Sequence, residues 1–322
     1  MKNETLEVFL GKETVALLKR SDITDIYIND EGIIWYISQE EGKVKTNCYR
    51  SPESTRALIE MLAGLTGKIV NEEFPSLACE IAEYRARFQG ELPPIVRQPQ
   101  FNIRKQATKI FTLDSYLANK AITSEKLHYL KEVIKNRKNI LIAGGTGSGK
   151  TTLLNAVLAQ ISKDAPLQRV ISIEDLPELQ CSSADYAPMF TKQLTEKNAI
   201  DFNMTRILSD SLRRNPDRII IGEVRDGAAY TMLKAWNTGH EGGACTVHAN
   251  NPVASLTRLE SLAGEDSHAQ GELKELIGEV IDVVVGIRQI AINKVLKKRE
   301  INEIIEVQGF DRKTNEYIIR KI

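Results

Sequence analysis

Short, continuous apolar runs recur in the second half of the chain: Ile140-Leu141-Ile142-Ala143, Val170-Ile171-Ser172-Ile173 and Ile219-Ile220-Ile221. Runs of this length without polar alternation suit parallel strands buried on both faces. Helical periodicity lies between them. Leu153, Leu154, Val157, Leu158 and Ile161 follow the first run at spacings of three and four, and Ile207, Leu208 and Leu212 precede the third. Upstream, Leu127, Leu130 and Ile134 share one helical face behind Thr123-Ser124. Strand and helix alternating in this way predict an α/β domain over 115–322.

The first third has a different texture. Ile23 to Asn29 and Ile33 to Ser38 are rich in Ile, Tyr and Trp, and Asn29-Asp30-Glu31-Gly32 between them is a turn signal, so a β-hairpin is expected. Ser51-Pro52 opens a helix with proline near its first position, and Ala57, Leu58, Met61, Leu62 and Leu65 are expected to form its apolar face. Tyr84, Ala86 and Phe88 alternate with Glu83, Arg85 and Arg87, and Phe101-Asn102-Ile103-Arg104 repeats the alternation. Two strands are predicted, each with arginines opposite its apolar side chains. The region therefore reads as a smaller N-terminal α+β domain over 1–110, with the linker at about 106–114. There is no internal repeat and no low-complexity segment.

The length of 322 residues agrees with two domains. With 42% hydrophobic and 27% charged residues, the chain can bury a sizeable core, which excludes disorder and a disulfide-stapled mini-fold. Lysines and arginines number 43, as do aspartates and glutamates, so no chain-wide basic field attracts nucleic acid. Cys48, Cys79, Cys181 and Cys245 are scattered, with no C-x-x-C pair. That spacing suggests neither a zinc site nor a disulfide framework, and it fits a reducing cytoplasm. The start has no long apolar stretch, and Val280 to Ile287 is short and contains Asp282. With no run near the ~20 residues a bilayer requires, membrane association is expected to be peripheral or through a partner.

Candidate chemistry centres on Gly144-Gly145-Thr146-Gly147-Ser148-Gly149-Lys150-Thr151, followed by Thr152. It satisfies G-x-x-x-x-G-K-[ST] and sits between an apolar strand and an apolar-faced helix, as a P-loop requires. Small residues let backbone N–H groups turn inward around phosphate, and the helix N-terminus adds its dipole. Lys150 is the expected partner of the β- and γ-phosphates, and Thr151 the expected magnesium ligand. Asn293-Lys294-Val295-Leu296 lacks the aspartate of a guanine-reading Asn-Lys-x-Asp motif, so ATP is the expected nucleotide.

Two further apolar strands end in carboxylates, Glu174 in Ile173-Glu174-Asp175-Leu176-Pro177-Glu178 and Glu223 in Ile219-Ile220-Ile221-Gly222-Glu223. Parallel strands bring their C-terminal ends to one edge, where ligands bind. Glu223 is the candidate to orient or deprotonate water. Glu174 is the candidate to hold magnesium through water; a helix cap or a solvated loop acid is the other reading of each. Thr238-Gly239-His240-Glu241-Gly242-Gly243-Ala244-Cys245-Thr246-Val247-His248-Ala249 holds two of the four histidines. His248 is the candidate sensor of the γ-phosphate. His240 reads equally as structural.

The order of P-loop, Ile-Glu-Asp-x-x-Glu, Gly-Glu-Val-Arg-Asp and Gly-His-x-Gly-Gly-x-x-Thr-x-His-Ala resembles the secretion-motor ATPase superfamily of type II and type IV secretion, pilus and conjugation motors. Within it, Arg87-Phe88-Gln89-Gly90-Glu91-Leu92-Pro93-Pro94-Ile95-Val96 and Phe101-Asn102-Ile103-Arg104-Lys105 look like the TrbB-type conjugal-transfer ATPases, although Tad-pilus motors share much of this pattern. The resemblance implies a C-terminal RecA-like P-loop ATPase domain, a homo-hexameric ring and a nucleotide at the domain junction. It also implies Arg85, Arg87 and Arg104 approaching the phosphates, where the other reading is a solvated sheet face. The expected function is Mg²⁺-dependent ATP hydrolysis powering conjugal DNA transfer. The expected location is the cytoplasmic face of the inner membrane, on channel proteins. A Tad or type IV pilus motor is the alternative within the superfamily. A RecA-like nucleic-acid motor is the alternative outside it, disfavoured because direct nucleic-acid binding is not expected of a neutral chain without a basic-aromatic stretch.

Overall fold

The computed structural model describes residues 2–38, 40–105, 111–192, 201–269, 271–291 and 297–322. They form two compact units, one from residues 2–105 and the other from 111–192, 201–290 and 297–322. Much of the predicted linker, 106–110, and the Asn293-to-Leu296 stretch lie outside the described residues.

In chain order the first unit has α1 (Lys2–Leu10), α2 (Lys12–Lys19), β1 (Ile23–Ile28), β2 (Ile33–Ser38), β3 (Gly42–Tyr49), α3 (Pro52–Thr66), β4 (Ser76–Ile81), β5 (Ala86–Glu91) and β6 (Gln100–Lys105). Its antiparallel sheet has the order β3-β2-β1-β6-β5-β4. The β1–β2 hairpin forms where the turn signal lies. Gly32 takes φ +78°, and the Asn29 side chain accepts the Ile33 N–H at 2.8 Å. Ser51 caps α3 by accepting the Ser54 N–H, with Pro52 in the first turn.

Two expectations need correction. The buried face of α3 is Thr55, Leu58, Ile59, Leu62 and Ala63, whereas Leu65 is 57% exposed. Thr55 bonds its hydroxyl to the Ser51 carbonyl, which lets a polar residue occupy a core position and rotates the buried stripe away from the one hydropathy suggests. Arg85 does not belong to a strand. Ala82–Tyr84 form a 3₁₀ turn, Arg85 follows with φ 47°, and β5 begins only at Ala86.

The second unit continues with α4 (Leu113–Ala118), α5 (Ser124–Lys135), β7 (Ile140–Gly144), α6 (Lys150–Asp164), β8 (Arg169–Glu174) and β9 (Asp185–Phe190). It then has α7 (Met204–Ser211), β10 (Arg218–Ile221), α8 (Ala228–Asn237), β11 (Ala244–His248), α9 (Pro252–Ala263), α10 (Leu273–Val280), β12 (Val283–Ala291), β13 (Lys297–Asp311) and β14 (Glu316–Lys321). The sheet order is β14-β13-β12-β7-β11-β10-β8-β9. From β12 to β9 every pairing is parallel, and β13 and β14 pair antiparallel at the edge.

Strand β7 shows why the apolar runs are continuous. Ile140 and Ile142 enter one core with Leu130, Leu153 and Leu158 of α5 and α6. Leu141 and Ala143 enter the other with Leu208, Leu233 and Leu256 of α7, α8 and α9. Helices cover both faces, so neither side of the strand meets water. Among the described residues no helix is long and apolar enough to cross a membrane. The parallel strands bring the ends of β7, β8, β10 and β11 to one edge, where the candidate site residues gather.

Candidate active site

The loop after β7 is shaped as a phosphate cradle. Gly147 and Gly149 take φ +70° and +100°, conformations that glycine adopts without a steric penalty. At Gly144 a Cβ would stand 2.5 Å from the Ile287 carbonyl oxygen and 2.5 Å from Ser148 Oγ, so no side chain fits. Lys150 opens α6, with Thr151 and Thr152 behind it in the first turn. Its side chain is only 8% exposed, and Nζ donates to the Gly145 carbonyl at 3.2 Å. Burial lowers the Lys150 pKa, against the opposing pull of Glu223. Ser148 Oγ is buried without a hydrogen-bond partner. A cation folded into a loop of inward backbone with an unsatisfied hydroxyl fits a polyphosphate.

Glu223 lies on the short segment leaving β10. The Gly222 carbonyl accepts the Thr246 hydroxyl at 2.7 Å, and the Val224 N–H donates to the Thr246 carbonyl at 3.1 Å. Both neighbours of Glu223 are thus tied to β11, which fixes its carboxylate on the P-loop side. Oε1 is 3.9 Å from Lys150 Nζ and 2.7 Å from His248 Nε2. Oε2 accepts from Arg225 Nε at 2.7 Å and also from Arg225 Nη2. Arg225 in turn lies 3.7 Å from Asp175, which accepts the Thr191 hydroxyl.

Glu174 ends β8 and is 4% exposed. Its Oε1 accepts the backbone N–H groups of Glu178 and Leu179 at 2.9 and 2.8 Å, and its Oε2 is buried with no partner. Burial outweighs those bonds and raises its pKa to about 7. A Cβ on Gly222 would be 3.2 Å from Glu174 Cγ, so a side chain there would press on the Glu174 side chain where β8 and β10 end side by side. Asn155 docks the following loop onto α6 through Glu178 O and Gln180 N. Asn155 is one helical turn beyond Thr151 on α6, so the loop that follows Glu174 is held to the helix that carries Thr151. An unsatisfied carboxylate oxygen at this place fits a hydrated magnesium ion.

The glycine-histidine segment divides. His248 ends β11 beside Gly144, its partner in register, and Lys150 Nζ lies 3.3 Å from both ring nitrogens. Burial lowers the His248 pKa, with Lys150, Arg225 and Arg258 repelling the cation and Glu223 attracting it. His240 precedes β11 at the opposite sheet edge. The glycines between serve packing. A Cβ on Gly243 would be 2.1 Å from the Trp236 ring, and one on Gly242 would be 2.6 Å from Arg218 Nη1.

In the first unit Arg87 and Arg104 are directly opposite on β5 and β6, so they share a sheet face. Glu80 is opposite Arg87 and Asp25 opposite Arg104, and Arg104 Nε donates to Asp25 at 2.8 Å. Arg85 is not in this row. Three residues of the second unit escaped the sequence reading. Arg225 had a visible signal, an arginine two positions after a strand-end glutamate. Gln289, which donates to the Gly147 carbonyl, and Arg299, which lies against Gly149, had none, because they come from β12 and β13, far from any motif.

The chain matches the family described as type II/IV secretion system protein over residues 53–308. It belongs to that family. The conjugal transfer protein TrbB of Rhizobium radiobacter is 37% identical over 305 residues, covering 95% of this chain and 90% of that protein. The type IV secretion system protein PtlH of Bordetella pertussis is 30% identical over 295 residues, covering 83% and 86%. The resemblance to the secretion motors, and to the TrbB type among them, is borne out. Among solved structures, the Legionella pneumophila ATPase DotB aligns with a TM-score of 0.63 at 20% identity, covering 97% of this chain and 82% of that one. The pilus retraction motor PilT with bound ADP aligns at 0.62 and 19%, covering 92% and 81%. These likenesses, below 25% identity, establish the fold.

Proposed function

We propose that this chain hydrolyses ATP and that the energy drives conjugal transfer through a type IV secretion apparatus. The observation that carries the reading is the convergence of Lys150, Glu223 and His248, from three strands or their loops, on one P-loop. The glycine-lined backbone and Lys150 bind the β- and γ-phosphates. Magnesium, held by Thr151 and through water by Glu174, would neutralise phosphate charge and so favour attack. Glu223 accepts the proton of the attacking water, and neutral His248 holds the Glu223 carboxylate in place. Lys150 stabilises the charge that spreads over the phosphoryl oxygens. Arg87 and Arg104 add positive charge when the first unit closes on ATP. The working form is a homo-hexamer at the cytoplasmic face of the inner membrane, bound to the channel complex. Conjugation is favoured over pilus motion by the TrbB likeness, which extends over nearly the whole chain.

Glu223→Gln tests the assignment. ATP binding should persist while turnover falls about 10²-fold or more, as for loss of a general base, and mating by cells carrying only this variant should stop. Equal loss of binding and turnover would make Glu223 structural or a metal ligand instead.

A further inference from the structure

The second unit has an arginine at the P-loop that the proposed hydrolysis does not use. Arg299 comes from β13, on the side of β7 away from the carboxylates. A Cβ on Gly149 would stand 2.7 Å from Arg299 Cδ and 2.9 Å from its Nε, so the side chain lies along the last glycine of the loop. Arg299 Nε is buried without a hydrogen-bond partner. Two further buried hydroxyls, Ser148 Oγ in the loop and Tyr116 Oη of α4, also lack partners. Tyr116 is close enough to feel the Arg299 charge. A buried guanidinium donor left unsatisfied is costly, which makes it a sign of an absent anionic ligand.

The sheet order indicates which part of the nucleotide this is. Glu174, Glu223 and His248 follow β8, β10 and β11, all on one side of β7, whereas β12 and β13 are on the other. If the γ-phosphate faces the carboxylates, the nucleotide extends from the P-loop toward β12 and β13. The first turn of α6 then meets the α- and β-phosphates. We propose that Arg299 is a binding residue for the α-phosphate, acting within its own subunit and recognising ADP and ATP alike. Its planar fork suits phosphate oxygens, which lysine would meet only as a point charge. This inference rests on the P-loop being the nucleotide site.

The test compares ADP and a slowly hydrolysed ATP analogue in calorimetric titrations with wild type, Arg299→Met and Arg299→Lys. Methionine keeps an unbranched stem against Gly149 and removes the donors. Both affinities should fall by the same factor in Arg299→Met, about 10- to 100-fold for a charged hydrogen bond. The loss should be smaller but still common to both ligands in Arg299→Lys. In turnover the defect should be read in KM. Wild-type ADP affinity in a folded Arg299→Met protein would overturn the inference, as would a loss confined to the ATP analogue, which would mark a γ-phosphate contact. Thermal unfolding without nucleotide verifies the fold, and Arg299→Lys carries the same comparison should the methionine variant not fold. Failure of wild type to bind ADP at all would instead overturn the P-loop reading.

Discussion

Glu174 and Glu223 both end apolar strands, but their surroundings give them different chemistry. Glu223 has Arg225 hydrogen-bonded at Oε2 and the His248 imidazole and Lys150 ammonium close to Oε1 without a hydrogen bond, whereas Glu174 has two backbone N–H donors at one oxygen and nothing at the other. Desolvation therefore dominates at Glu174 and holds its folded pKa near 7, against an ordinary value of 4.5. Between those two pH values the folded protein binds more protons than the unfolded chain, so the contribution of this group to stability falls as pH rises. Glutamine retains the Oε1 acceptor and does not ionise. In nucleotide-free, EDTA-treated protein, the stability of Glu174→Gln relative to wild type should rise between pH 4.5 and pH 8 by on the order of 3 kcal/mol. Denaturant unfolding at the two pH values measures this, and parallel behaviour of the two proteins would show that Glu174 is not the buried acid described. The same substitution should also cut ATP turnover, because the oxygen facing the proposed hydrated magnesium is lost.

At the scale of elements, what the sequence reveals depends on how many faces an element buries. The doubly covered strands β7, β8 and β10 read as uniform apolar runs, and the P-loop is legible because its spacing and its strand-helix context coincide. Hydropathy alone places the buried face of α3 wrongly because Thr55 satisfies its hydroxyl locally. At Arg85 the alternation continues through a 3₁₀ turn, which hydropathy does not distinguish from a strand. The glycine-histidine segment holds His240 and His248 close in sequence, and only the β11 register shows that a full strand separates them. Each residue of that strand advances about 3.3 Å, placing one imidazole at the P-loop and the other at the far edge. His248→Ala should therefore lower turnover by on the order of 10-fold or more, while His240→Ala should leave kcat and KM near wild type. Steady-state ATPase assays decide the matter, and comparable losses in both variants would mean that the segment acts as one packed unit rather than through His248.

For the whole molecule, the open question is whether the first unit takes part in hydrolysis. Its sheet carries Glu80, Arg87, Arg104 and Asp25 in one cross-strand row, a pattern that can be either a solvated charge ladder or a phosphate-binding face. Arg104 distinguishes the two. Its side chain is 56% exposed and its Nε bonds Asp25, so as a surface ion pair it would contribute at most about 1 kcal/mol. Lysine can keep that pair but cannot offer a planar fork to a second anion. In the proposed hexamer, with the first unit closing over ATP, Arg104→Lys should retain assembly and nucleotide affinity and yet turn over more slowly. Light scattering with a non-hydrolysable analogue measures assembly, titration measures affinity, and the ATPase assay measures the consequence. A wild-type rate in Arg104→Lys would assign the row to surface solvation and leave the second unit to hydrolyse ATP alone. A strict monomer at micromolar concentration, with and without the analogue, would remove the ring on which domain closure is argued.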